Sequence, residues 1–212
     1  NAFAVDYPRT VRRFDVAPFT IDQLMQNTVR CVDKALAVHS LIDVCAYNLI
    51  RERSESMTIK IAINGFGRIG RLALRAAWHR NDYEIVQINE IAGDASAAAH
   101  LLKYDSVHGT WDRSISGKVS AEASDSEARI VIDGQSIAYT QNQNITDTDW
   151  SGVDMVVECT GTFKSQQALS AYFDQGVKKV VVSAPIKDGT LNVVMGVNDH
   201  LYTDQAIVTA AS

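Results

Sequence analysis

From residue 57 onward, hydrophobic positions switch repeatedly between short continuous runs and helical spacing. Thr58–Ile63, Glu84–Ile88, Val153–Glu158 and Lys179–Ser183 are Val/Ile-rich runs of strand length. Between them, Ile69–His79, Ala95–Leu102 and Ser165–Phe173 place apolar residues at helical intervals,. Three strand-like pieces, Ser114–Ser120, Ala128–Ile132 and Gln135–Tyr139, follow one another without a helix, and Asp133-Gly134 predicts a tight hairpin turn between the last two,. Val193–Gly196 and Ala206–Thr209 are predicted as closing strands. Alternating strands and helices built on continuous Val/Ile runs predict an α/β fold: a Rossmann-type doubly wound parallel sheet, here with a β insertion.

Residues 1–56 read differently. They hold two of the three prolines and none of the twelve glycines. Thr20-Ile21-Asp22-Gln23 resembles a capping box,. Ile21, Leu24/Met25, Val29, Val32, Leu36, Leu41/Ile42, Cys45 and Leu49 recur at the spacing of one or two amphipathic helices,. The shift in composition sets an expected boundary: an unassigned N-terminal segment at 1–56 and a nucleotide-binding domain at 57–212.

Composition narrows the function classes. The net charge is −5 with 46% hydrophobic residues, so bulk charge argues against nucleic acid, and no apolar run approaches the roughly 20 residues of a membrane span,. The three cysteines form no CxxC pair, and the histidines show no metal-ligand spacing, so neither a disulfide framework nor a metal site is expected,. A reducing compartment fits this usage.

The strongest chemical signal is Asn64-Gly65-Phe66-Gly67-Arg68-Ile69-Gly70, a G-x-G-x-x-G between a predicted strand and a predicted helix. Such a turn lets backbone approach a pyrophosphate at a helix N-terminus. Glu90 lies 20 residues beyond Gly70, at the end of the second strand. A carboxylate there accepts hydrogen bonds from ribose hydroxyls and repels a 2′-phosphate, which favours NAD over NADP.

Ile63–Arg71, Asn89-Glu90, Leu102–Gly109, Glu158–Phe163, Ser183-Ala184-Pro185 and Val194–Asn198 together resemble the N-terminal half of the glyceraldehyde-3-phosphate dehydrogenase family, in order and spacing from Met57 to Ser212. The resemblance implies that Arg68 and Ile69 meet the cofactor pyrophosphate, that Glu90 holds the ribose, and that Thr160 and Gly161 lie on the adenosine side. It also implies that Ser183 lies near the nicotinamide riboside, that Gln143 stands near the adenine, and that Ser212 contacts substrate phosphate. In the family, the catalytic Cys and a Thr-Thr-Asn run follow the position of Ser212, and the general-base His comes later. None of these lies within the 212 residues. The expectation is therefore a fragment with no catalytic residue of its own.

For the intact protein the resemblance implies a cytoplasmic homotetramer that oxidises an aldehyde phosphate with NAD and captures phosphate. Ile88–Ala95, Ala97–Leu102 and Trp111-Asp112-Arg113 resemble the arsenate-resistance branch, where arsenate replaces phosphate. An erythrose-4-phosphate dehydrogenase and a non-catalytic NAD-binding protein are the alternatives. Met57 is where a family member would start, so residues 1–56 read as translated leader, with a helical extension as the competing reading. Cys159 and His108 read as structural: a buried strand-end thiol and a hydrogen-bonded loop histidine.

Overall fold

A computed structural model describes residues 21–52, 58–78, 80–118 and 128–210, with the side chains of 21–33 and 52 left aside. In chain order the elements are α1 (Ile21–Glu52), β1 (Ile59–Asn64), α2 (Arg68–Ala77), β2 (Tyr83–Asn89), α3 (Ala95–Lys103), β3 (Tyr104–Asp105), β4 (Gly109–Thr110), β5 (Ile115–Lys118), β6 (Arg129–Ile132), β7 (Gln135–Thr140), β8 (Met155–Glu158), α4 (Gln166–Phe173), β9 (Lys179–Val182), β10 (Leu191–Asn192) and β11 (Ile207–Thr209). The main sheet runs β10-β11-β9-β8-β1-β2-β7-β6-β5. It is parallel from β10 to β7, and antiparallel pairing of β7 with β6 and of β6 with β5 forms the β insertion.

Successive side chains in a strand face opposite ways, and both faces are covered here. Ile59, Ile61, Ile63, Met155, Val157 and Val181 enter one core with α1, α2 and α3. Ala62, Val156, Val180 and Val182 enter a second core with Trp150 and with Leu169 and Tyr172 of α4. The connections β1-α2-β2 and β8-α4-β9 leave the sheet centre in opposite directions. Right-handed crossovers therefore put α2 and α4 on opposite faces. That leaves the α2 face of β8, β9 and β11 without a crossover helix, and α1 lies there, packed against α2, β9 and β1.

Helix α1 buries Val38, Leu41, Ile42, Cys45, Ala46 and Leu49, a stripe at alternating intervals of three and one,. Its Asp43 carboxylate accepts a hydrogen bond from the Tyr83 hydroxyl at 3.0 Å, which links the helix to the start of β2. Leu41 is fully enclosed. We expect Leu41→Ala to lower the unfolding free energy by about 2–5 kcal/mol, the usual cost of such a cavity. Urea unfolding measures this, and a loss below about 0.5 kcal/mol would mean that the helix is not docked.

The Asp133-Gly134 hairpin forms as predicted. Both residues adopt positive φ, 49° and 89°, the geometry whose twist matches the flanking strands,. One strand assignment needs correction. Val193–Gly196 is not a strand: β10 ends at Asn192 and residues 195–198 form a turn in which Gly196 has φ 78°. The Asn198 carboxamide explains it. It accepts from the Val194 N–H at 2.7 Å and donates to the Asn192 carbonyl at 2.8 Å, which closes a loop where the ladder would continue. His108, read as a loop histidine, lies in the turn that joins β3 to β4, a small antiparallel hairpin. The Thr20 capping position and His79 lie outside the described residues.

Candidate functional site

Parallel strands bind ligands beyond their carboxyl ends, where the connections leave in opposite directions. Here that switch lies between β1 and β8. A crevice of about 240 Å³ opens there, lined by Asn64, Gly65, Gly67, Asn89, Glu90, Ile91, Asn142, Gln143, Cys159, Thr160, Thr162 and Phe163. The structure thus brings six of the sequence-named residues together: Asn64, Gly65, Gly67, Glu90, Gln143 and Thr160.

The glycine turn is shaped by close packing. Gly65 has φ 89°, and a Cβ built on it would sit 2.5 Å from the Thr160 nitrogen. A Cβ on Gly70 would sit 2.3 Å from the Gly65 carbonyl oxygen, so α2 lies hard against the turn. At Gly67 a Cβ meets nothing within 4 Å, which leaves its backbone open to approach. Arg68, Ile69 and Gly70 form the first turn of α2.

No side chain caps α2, whereas Asp94 caps α3 and Ser165 caps α4 through their own side chains. The start of α2 thus carries no side-chain cap, and helix starts of this kind present backbone N–H groups that suit an anion,. The Phe66 ring is buried in the core, and Phe66 offers only its backbone to the site.

Glu90 is tied to this turn. Its Oε2 accepts from the Phe66 N–H at 2.6 Å, and its Oε1 from the Ala92 N–H at 2.9 Å. A carboxylate has about four acceptor positions. Each oxygen thus keeps capacity for a ribose hydroxyl, in an orientation set by backbone. Open backbone at Gly67, an uncapped helix start and a fixed carboxylate are the donor and acceptor set that a dinucleotide needs.

Other named residues lie beside the crevice. Gly161 has φ 69° in the loop after β8. Ser183 is buried at the end of β9, and its N–H donates to the Glu158 carbonyl at 2.9 Å. Ser212 lies outside the described residues. Cys159 reaches the crevice wall, but desolvation pushes its thiol up to about 12, so it stays protonated near neutrality,. His108 Nδ1 lies 2.9 Å from Asp105 Oδ1, the hydrogen-bonded arrangement read from the sequence. Among the described residues no cluster of His, Cys, Asp and Glu is placed to hold a metal.

Sequence reasoning missed Asn89, Ile91, Asn142, Thr162 and Phe163 as crevice residues. Asn89 and Ile91 flank Glu90, so the strand-end rule alone could have found them. Asn142 arrives only because β7 pairs with β2 in parallel, a contact with no local signature.

Comparison with known proteins agrees with this geometry. Residues 59–166 match the family model "Glyceraldehyde 3-phosphate dehydrogenase, NAD binding domain". Glyceraldehyde-3-phosphate dehydrogenase 3 of Nostoc sp. is 49% identical over 160 residues, covering 74% of this chain and 45% of the relative. The Haemophilus influenzae glyceraldehyde-3-phosphate dehydrogenase is 42% identical over 158 residues, covering 74% and 44%. The cytosolic enzyme of Trypanosoma brucei brucei is 42% identical over 158 residues, covering 74% and 45%. The chain thus spans a little under half the length of these curated relatives. The match over residues 59–166, half of the chain, means that the chain belongs to the glyceraldehyde-3-phosphate dehydrogenase family through the NAD-binding domain, with NAD as cofactor.

Proposed function

We propose that this chain is the cofactor-binding half of an NAD-dependent, phosphorylating glyceraldehyde-3-phosphate dehydrogenase. The observation that carries the reading is the Glu90 carboxylate, fixed by the Phe66 N–H inside the crevice that the glycine turn opens. Residues 57–212 form the nucleotide-binding domain in this reading. The N–H groups of Arg68 and Ile69 face the pyrophosphate, and Glu90 takes the adenosine ribose. Gln143, Thr160 and Gly161 serve the adenosine side, and Ser183 supports the nicotinamide side. When bound, NAD supplies the hydride acceptor for aldehyde oxidation. What these residues contribute is binding and orientation, while nucleophile and base belong to the family's catalytic half.

The substrates are glyceraldehyde 3-phosphate and inorganic phosphate, and the working form is a cytoplasmic homotetramer. Among the described residues no helix is long and apolar enough to cross a membrane, which is compatible with that setting. Reduction of NAD by the gene product, followed at the nicotinamide absorbance, tests the proposal. The expected result is NADH formation that requires glyceraldehyde 3-phosphate together with phosphate. Faster turnover of erythrose 4-phosphate would shift the substrate assignment. Dependence on arsenate with exclusion of phosphate would place the protein in the resistance branch. NAD binding without any aldehyde oxidation would reduce the role to cofactor binding.

A further inference from the structure

Glu158, at the end of β8, is 1% exposed, yet it is a carboxylate in a parallel-sheet interior. A buried charge of this kind persists only when its acceptor positions are filled. Four neutral donors fill them. Oε1 accepts from the Thr160 N–H at 2.8 Å and from the Thr160 hydroxyl. Oε2 accepts from Asn64 Nδ2 at 2.9 Å and from the Tyr172 hydroxyl at 2.7 Å. Asn64 Nδ2 also donates to the Tyr172 oxygen at 2.6 Å.

The chain of bonds continues across the sheet. Asn64 Oδ1 accepts from Asn89 Nδ2 at 2.8 Å, and Asn89 Oδ1 accepts from the Thr140 hydroxyl at 2.8 Å and the Asn142 N–H at 2.9 Å. Four adjacent strand ends, β8-β1-β2-β7, are thereby joined side chain to side chain. Each joined residue stands at or beside a crevice position: Glu158 two before Thr160, Asn64 just before Gly65, Asn89 just before Glu90, and Thr140 shortly before Asn142 and Gln143.

We propose that Glu158 is a positioning residue for the dinucleotide crevice, whose ionised carboxylate holds the glycine turn, the ribose-binding Glu90 and the Thr160 loop in register through this side-chain chain. The hydrogen-bond inventory explains why charge matters. Asn64 Nδ2 and the Thr160 N–H can only donate. Protonated Oε2 would have to donate to the Tyr172 oxygen. The Tyr172 proton would then face Asn64 Nδ2, another donor, and lose its acceptor. A proton on Oε2 therefore breaks the chain at the β8–β1 step, and a proton on Oε1, donated to the Thr160 hydroxyl, leaves Oε2 a neutral and weaker acceptor for Asn64 and Tyr172, so either form loosens that step,. Burial raises the Glu158 pKa above the ordinary carboxylate value, with the four donors opposing that rise, so the step occurs at higher pH than for a solvent carboxylate,. The titratable groups beside it are Tyr172 of α4, which burial holds protonated, and the Cys159 thiol.

The proposal rests on NAD binding in the crevice, and the test separates the two. NAD affinity of the full chain, Glu158→Gln and Tyr172→Phe is measured by calorimetry from about pH 5 to about pH 8, beside thermal unfolding. The wild-type chain should bind NAD, with affinity falling as pH drops through the Glu158 step. Glu158→Gln should bind about tenfold more weakly at neutral pH and lack that step. Tyr172→Phe removes one donor to the charged form, so its step should move to higher pH. A purely structural role would lower thermal stability and leave NAD affinity and its pH profile unchanged in the folded variants, which overturns the proposal. If Glu158→Gln does not fold, Tyr172→Phe decides, and an unmoved step overturns the proposal. A wild-type chain that binds no NAD overturns the cofactor reading beneath it, and the proposal with it.

Discussion

Gly65→Ala is expected to abolish NAD binding, with affinity lowered by about a hundredfold or more, and to destabilise the fold by about 3 kcal/mol or more. Two independent costs act at this position. At φ 89° an L side chain is strained by roughly 1–2 kcal/mol,. The added Cβ would also meet backbone on the neighbouring loop, 2.5 Å from the Thr160 nitrogen and 2.6 Å from the Cys159 carbonyl carbon. No side chain can rotate away to relieve a contact with backbone. Either the glycine turn or the Thr160 loop must move, and both line the crevice. Calorimetric titration with NAD and urea unfolding measure the two effects. Near-wild-type NAD affinity in Gly65→Ala would mean that the turn does not shape the site.

The second large effect is expected at Glu90. Glu90→Ala should weaken NAD by about 10- to 100-fold, the range for loss of hydrogen bonds to a charged group at about 1.5–3 kcal/mol. The same substitution removes the acceptor of the Phe66 N–H, so the glycine turn is expected to lose a contact of its own. Its clearest signature is specificity. In the wild type the carboxylate is expected to repel a 2′-phosphate, so that NADP binds more weakly than NAD. In Glu90→Ala that repulsion is gone and the two affinities should converge. Paired titrations with NAD and NADP check this, and a preference for NAD that survives in the variant would assign discrimination to another residue.

Much of the fold was legible because its signals are local. The Val/Ile runs of β1, β8 and β9 are buried on both faces, and such strands read as continuous apolar stretches,. The glycine turn was legible because Gly65 and Gly70 answer to steric demands made within one strand–turn–helix unit. Long-range placements left no such trace. Helical periodicity announced α1, yet nothing in Val38–Leu49 says which face it covers. That follows from the handedness of the β1-α2-β2 and β8-α4-β9 crossovers.

The candidate site divides along the same line. Glu90 announced itself by its spacing from the glycines. Asn142 and Phe163 became crevice residues only through strand order. The Glu158–Asn64–Asn89 chain joins residues far apart in sequence, so its polar letters read singly as strand ends. The failed strand at Val193–Gly196 shows the converse. An apolar run fitted a strand, but one Asn198 side chain diverted the backbone,.

The most direct test is an NMR titration of the isotopically labelled chain with NAD, read as amide shift changes residue by residue. NAD at the switch point should move the amides of Gly65, Gly67, Arg68, Glu90 and Thr160, and leave Lys179 and Asp204, at the opposite ends of the strands, in place. Shifts absent from the glycine turn, or gathered around Lys179 and Asp204, would contradict a dinucleotide site at the carboxyl ends of β1, β2 and β8.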